Sequence, residues 1–209
     1  MLDVSDLPSL YLLDLFLLTS GTGLSLGVIS IIVLLFLSGL ISGSEVAFFS
    51  LTANDYEEIE SKENPTNRLI LSFRDQPRNL LATILIANNF INIAIVLMST
   101  LLLESLFPKG IFMGWLETLQ ENYEWTQIIS AELAATFIRF TITVVGVTFL
   151  LVLFGEVAPK VYARYNKLKL ATLMARPIKT MMSLFKPLSF ALVSGASVVE
   201  KRLENHSID

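Results

Sequence analysis

Cysteine is absent from the 209 residues, and the single histidine, His206, lies close to the C-terminal end. Disulfide frameworks, thiolate metal sites and thiol nucleophiles are thereby excluded, as are a histidine-based triad and a multi-histidine metal centre. Charge is scarce as well. Only 16% of the residues are charged against 53% apolar, with a mean hydropathy of +0.64, a balance foreign to a soluble globule. The net charge of -4 leaves no surplus of Lys and Arg to neutralise phosphates, so a nucleic-acid partner is not expected. No Lys or Arg precedes Lys62, so the basic leader of a cleavable signal peptide is not expected either. Chemistry is left to carboxylates, amides, hydroxyls, lysine and backbone.

What the chain does have is apolar residues gathered into blocks. A helix needs about 20 apolar residues to cross a bilayer core, and three blocks qualify: 24–51, 80–103 and 140–161. The run LYLLDLFLL near the N-terminus is interrupted by Asp14 and reads as an interfacial segment. Positive residues set the orientation, because Lys and Arg stay on the cytoplasmic side. None precedes the first span. Lys62, Arg68, Arg74 and Arg78 follow it, Lys109 alone stands well inside the second connection, and seven basic residues without one acid run from Lys160 to Lys186. Three spans with the N-terminus outside and the C-terminus inside fit that alternation. The expected fold class is therefore an all-α integral membrane protein, with a transmembrane domain over 1–164 and a cytoplasmic juxtamembrane belt over 165–209.

The belt holds further apolar runs, but Pro177 and Pro187 are expected to break them into pieces too short to cross. At 100° per residue Lys169, Arg176, Lys179 and Lys186 share an arc of about 100°, which suits amphipathic helices lying on anionic lipid.

Each span carries polar groups that cost several kcal/mol if they face hydrocarbon. On the first, Ser38, Ser42 and Glu45 fall within roughly 60° of one another. Gly39 and Gly43 form a small-residue face for close helix approach, across which protomers are expected to pair. On the second, Asn88 and Asn92 share a face, with Asn89 about 100° away. The third ends in FGEVAPK. Pro159 lacks an amide hydrogen, so the carbonyl of Gly155 loses its helical partner, beside Glu156 and Lys160. Measured from the cytoplasmic ends at 1.5 Å per residue, Ser42, Asn88 and Glu156 all lie about 12 to 14 Å deep. Two carboxylates, amide and hydroxyl oxygens and a freed carbonyl at one level form an oxygen donor set for a hard cation such as magnesium, calcium or sodium. The amides alone would also serve as interhelical glue, and Lys160 would either extend to the headgroups or act as a charge partner that neutralises a glutamate when the site is empty.

Three segments, SGLISGSEVAFFSL (38–51), IANNFIN (86–92) and FGEVAPK (154–160), in this order, resemble the transmembrane domain shared by CorC-type bacterial proteins and the cyclin M (CNNM) magnesium transporters. The resemblance covers nearly the whole chain. It implies three transmembrane helices, a cytoplasmic helical hairpin over 52–78, a juxtamembrane belt and a homodimer in the plasma (bacterial inner) membrane. It further implies magnesium export from an inward-facing cavity, driven by inward sodium, by a protein that is not an enzyme. On that resemblance Ser42, Asn88, Asn92, Gly155 and Glu156 map onto the positions lining the cation site, with Ser38, Glu45, Pro159 and Lys160 close by. Family members usually continue into paired CBS modules, which are not expected within these residues. The alternative is a membrane scaffold or accessory factor of a secretion or motility apparatus. An intramembrane hydrolase would need paired aspartates or a Ser and His pair, and neither is present.

Overall fold

A computed structural model describes residues 21–62, 64–106, 113–114, 116–118 and 130–206. The run around Asp14 and the aromatic residues Trp115, Tyr123 and Trp125 lie outside them. Every regular element described is a helix. Helix α1 is Gly21–Phe49, α2 Ala53–Ser61, α3 Pro65–Arg74 and α4 Pro77–Leu106. The next run is α5 (Ala131–Thr141), a π-helical turn at Ile142–Gly146, α6 (Val147–Leu150), a π-helical stretch at Leu151–Val157 and α7 (Ala158–Tyr165). Helices α8 (Lys167–Leu184) and α9 (Lys186–His206) complete the described chain.

Three stretches are long and apolar enough to cross a bilayer: Thr22–Phe49, Pro77–Leu103 and Glu132–Tyr165. The third starts well before the expected residue 140. Glu132 in its first turn complements the helix dipole, and the Thr136 hydroxyl donates back to the Glu132 carbonyl, so polar residues continue the helix instead of ending it.

The chain divides into two compact units. In the first, Met1–Leu35 with Ile93–Val152, most described side chains are exposed, among them Phe137, Phe140 and Phe149. Lipid is the natural surrounding for such residues. Close packing occurs at Gly27, where an added Cβ would lie 3.0 Å from the Leu102 side chain.

The second unit, Phe36–Asn92 with Leu153–Asp209, contains a dense core. Helix α2 starts with a capping box, in which Thr52 and Asp55 satisfy each other's backbone amides. Asn64 caps α3 by accepting from the Thr66 amide at 3.0 Å, with Pro65 in the first turn. Asn67 donates to the carbonyls of Ile59 and Lys62, each at 3.0 Å, and so closes the C-terminal end of α2. Ile70 and Phe73 then face inward, and Phe73 meets Phe48 edge to face at 5.4 Å.

Helix α8 corrects two expectations. Its apolar stripe, Leu170, Ala171, Met174, Ala175 and Ile178, is buried in protein with Ile70 and Phe73, not laid on lipid. Pro177 does not break the helix. The ring sits on the exposed side, one hydrogen bond is lost there, and burial of the opposite stripe outweighs that cost. A break does fall at Pro187, since α8 ends at Leu184 and α9 begins at Lys186, but α9 is 21 residues long and differs from the spans in its composition, not in its length. Lys169, Arg176, Lys179 and Lys186 are all exposed.

Candidate cation site

All the polar residues singled out on the spans lie in the second unit. Helix α1 contributes Ser38 and Ser42, 0% and 1% exposed, and α4 contributes Asn88 and Asn92. The Ser38 hydroxyl donates to Asn92 Oδ1 at 2.8 Å and lies 3.2 Å from Asn88 Oδ1. A hydroxyl carries one proton, so both contacts are satisfied when Asn88 turns its amide nitrogen toward the Ser38 lone pair. Asn92 Nδ2 in turn donates to Glu156 Oε1 at 3.4 Å. The three spans are thereby joined through one chain of side chains. Asn89 stands aside, exposed, donating to the Leu85 carbonyl of its own helix.

The third span reaches this chain through its π-helical stretch Leu151–Val157, which holds Glu156 and the buried Gly155. A π turn widens the helix and removes carbonyls from the regular ladder, and Pro159 withholds the next amide hydrogen. The two glycines of α1 make room for this break. A Cβ on Gly39 would lie 2.9 Å from Pro159 Cγ and 3.2 Å from the Phe154 carbonyl oxygen. One on Gly43 would lie 2.9 Å from Leu170 Cδ2 and 3.3 Å from the Pro159 carbonyl oxygen. The small-residue face is therefore occupied within the chain and is closed to a second protomer, contrary to the expectation from sequence.

Two groups at the site are left short of partners, and Ser50 Oγ, just past the end of α1, is a further buried hydroxyl without one among the described residues. Ser42 Oγ is fully buried with no hydrogen-bond partner among the described residues, a state that costs about 1 to 3 kcal/mol. Glu156, half-buried, has among the described residues only the long contact from Asn92. The neighbouring carboxylate is treated differently. Glu45 Oε2 pairs with Lys160 Nζ at 3.1 Å, both about a third exposed. Among the described residues no three acidic or histidine side chains cluster, so a cation would rely on amide, hydroxyl and carbonyl oxygens around Glu156. That donor set suits a hard ion.

The sequence reading missed Lys167. Its ammonium donates to Asp55 Oδ2 and, at 3.4 Å, to the Ser50 carbonyl at the end of α1. Burial alone would raise the Asp55 carboxyl. Hydrogen bonds from Lys167 and from the Thr52 hydroxyl and amide, with the lysine charge, outweigh it and lower the carboxyl from 3.8 to about 2. The Thr-x-x-Asp box was a readable sign of the helix start. Its distant lysine had none.

The model of the cyclin M transmembrane N-terminal domain matches residues 29–207. The UPF0053 protein sll1254 of Synechocystis sp. is 25% identical over 161 residues, which are 77% of this chain and 38% of that relative's length. The chain thus spans well under half of the curated relative that it matches.

Proposed function

The chain belongs to the cyclin M transmembrane N-terminal domain family and is a multi-pass membrane protein, and from that premise we propose that it carries magnesium out of the cytoplasm in exchange for inward sodium. The observation that supports this reading is the pair of unmet groups in the membrane: Ser42 Oγ without a partner and Glu156 with one long contact. A carboxylate left so poorly compensated in a span is costly unless a cation or a hydrated cavity answers it.

Magnesium keeps several of its waters and takes few protein ligands. In the proposed site Glu156 supplies the charge, and Ser42, Asn88, Asn92 and the Gly155 carbonyl supply neutral oxygens that replace part of the hydration shell. Ser38 orients the two amides. Glu45 does not compete, because Lys160 neutralises it and so removes the repulsion between two carboxylates. The protein acts as a homodimer in the plasma membrane, N-terminus outside, with α2, α3 and the α8 to α9 belt on the cytoplasmic side and exposed basic residues toward anionic lipid. It is a transporter and not an enzyme.

Magnesium efflux from loaded proteoliposomes tests the reading. Glu156→Gln removes a charged ligand worth about 1.5 to 3 kcal/mol, so efflux is expected to fall by about tenfold to a hundredfold. Ser42→Ala is expected to leave thermal stability equal or higher, since it deletes an orphaned hydroxyl, while weakening magnesium binding in calorimetry. Unaltered efflux with Glu156→Gln and unaltered affinity with Ser42→Ala would remove the basis for a cation site here.

A further inference from the structure

A cavity of about 610 Å³ lies in the second unit, apart from the proposed cation site. Its polar lining comes from three places: Gln76 and Asn79 where α4 begins, Lys179 and Ser183 near the end of α8, and Lys186 where α9 begins. No carboxylate lines it. Neither α4 nor α9 has an acidic residue in its first turn, and neither lysine pairs with a carboxylate among the described residues. Two lysines, two amide residues and a serine thus line one space without a carboxylate, and the Asn79 amide nitrogen donates to Gln76 Oε1 at 3.4 Å. Such a set is complementary to a phosphate oxygen.

The cavity's depth says which phosphate. Its wall begins at Gln76, one residue before the membrane-crossing stretch that opens at Pro77, and continues to Thr83. At its far end Thr83 and Ser189 are buried and bonded to each other at 3.1 Å, so the polar demand is confined to the mouth. Beside the lysines stand Met182 and the Phe190 ring, the latter 72% exposed. Basic groups at the headgroup level with bare apolar surface next to them fit an amphiphile better than a soluble ion. The volume is in the range of small-molecule sites.

We propose that this cavity is a discrete binding site for the phosphate headgroup of an anionic phospholipid, one per chain, held by Lys179 and Lys186 with Gln76, Asn79 and Ser183. It rests on the membrane reading alone and stands whether or not the protein moves a cation.

Native mass spectrometry of the full chain, purified in detergent and offered equal phosphatidylglycerol and phosphatidylcholine, tests it. One phosphatidylglycerol is expected to be retained per chain. The Lys179→Gln, Lys186→Gln double variant is expected to retain about tenfold less. Lys169→Gln with Arg176→Gln, exposed on α8 but outside the cavity, is expected to change nothing. Arginine at 179 and 186 is expected to preserve retention, which separates lost charge from lost fold. Equal losses in the two glutamine pairs would reassign the effect to a diffuse basic face and overturn the proposal. Equal retention of phosphatidylcholine, or stripping of the lipid by inorganic phosphate, would overturn it as well.

Discussion

The two units of this chain are cut from the same three membrane-crossing helices, yet they differ in how far their polar side chains reach. In the first unit Ser25, Thr100, Ser105, Thr136 and Thr143 each donate back to a carbonyl of their own helix, three or four residues earlier. In the second such backward bonds recur, as at Ser44, Thr83, Asn89 and Thr172, but polar side chains also reach across: Ser38 to Asn92, Asn92 to Glu156, Lys160 to Glu45, Thr83 to Ser189 and Lys167 to Asp55. A hydroxyl that closes on its own helix asks nothing of its neighbours and tolerates lipid. One that reaches across fixes the register of two helices and fails when either partner changes. The difference locates specificity in the second unit and leaves the first free to be chosen for hydrophobicity.

Glycine provides the strongest way to break this comparison. Gly39→Ala pushes a Cβ against a proline ring and a backbone carbonyl, neither of which can turn aside, and overpacking of that kind costs about 1 to 3 kcal/mol. Gly146 in the first unit has nothing within 4 Å of its Cβ direction. Gly146→Ala is expected to be neutral, or to stabilise by up to about 1 kcal/mol through lower backbone entropy of the unfolded chain. Thermal unfolding of the two variants in one detergent checks both. Comparable losses would mean that the close approach of α1 to Pro159 does not govern packing.

Much of this contrast was legible in the sequence, because it follows from residue type and spacing. Three apolar blocks gave three spans, and Ser38, Ser42, Asn88, Asn92 and Glu156 were recognisable as polar groups sharing helix faces. The destinations were less legible. The stripe Leu170, Ala171, Met174, Ala175 and Ile178 has the same period whether lipid or protein covers it, and only packing with Ile70 and Phe73 decides. Glu45 was readable as a possible ligand and Lys160 as a charge partner for a glutamate, but which glutamate it meets depends on how the helix is rewound. A stretch of π helix changes the angular offset of every residue beyond it, and 3.6-residue arithmetic does not carry across it. Pro159 signalled a break without signalling its form.

The next test is smaller and uses acid. An aspartate whose pKa is depressed on folding stabilises above its unfolded value, and the contribution is lost as pH falls through the folded one. For Asp55 that window runs from 3.8 down to about 2. The wild-type advantage over Asp55→Asn, about 1 kcal/mol after solvent screening, is expected to be whole above the upper bound, to shrink through the window and to vanish below it. Melting temperatures of both proteins across that range measure it. A difference that persists in strong acid would assign the effect to the shape of the Thr52 capping box and not to the charge of Lys167.

The finest comparison makes one substitution in both units. Thr136 is exposed, and among the described residues its hydroxyl bonds only to the Glu132 carbonyl at 2.8 Å. Thr136→Val removes a self-contained bond and adds a methyl that lipid accepts, so stability is expected to move by less than about 0.5 kcal/mol. Thr83 makes the same backward bond to Asn79 at 2.8 Å, but it is buried and also meets Ser189 Oγ. Thr83→Val leaves the buried Ser189 hydroxyl without this partner, and interhelical bonds of this type are worth about 0.6 kcal/mol, reaching about 1.7. The hydroxyl lost is the same and the backward bond is the same, so any excess at Thr83 belongs to the partner it leaves behind. Denaturant titration of both variants gives that excess directly. If it is zero, crossing between helices adds nothing that a helix does not already provide for itself, and the second unit owes its order to its apolar core.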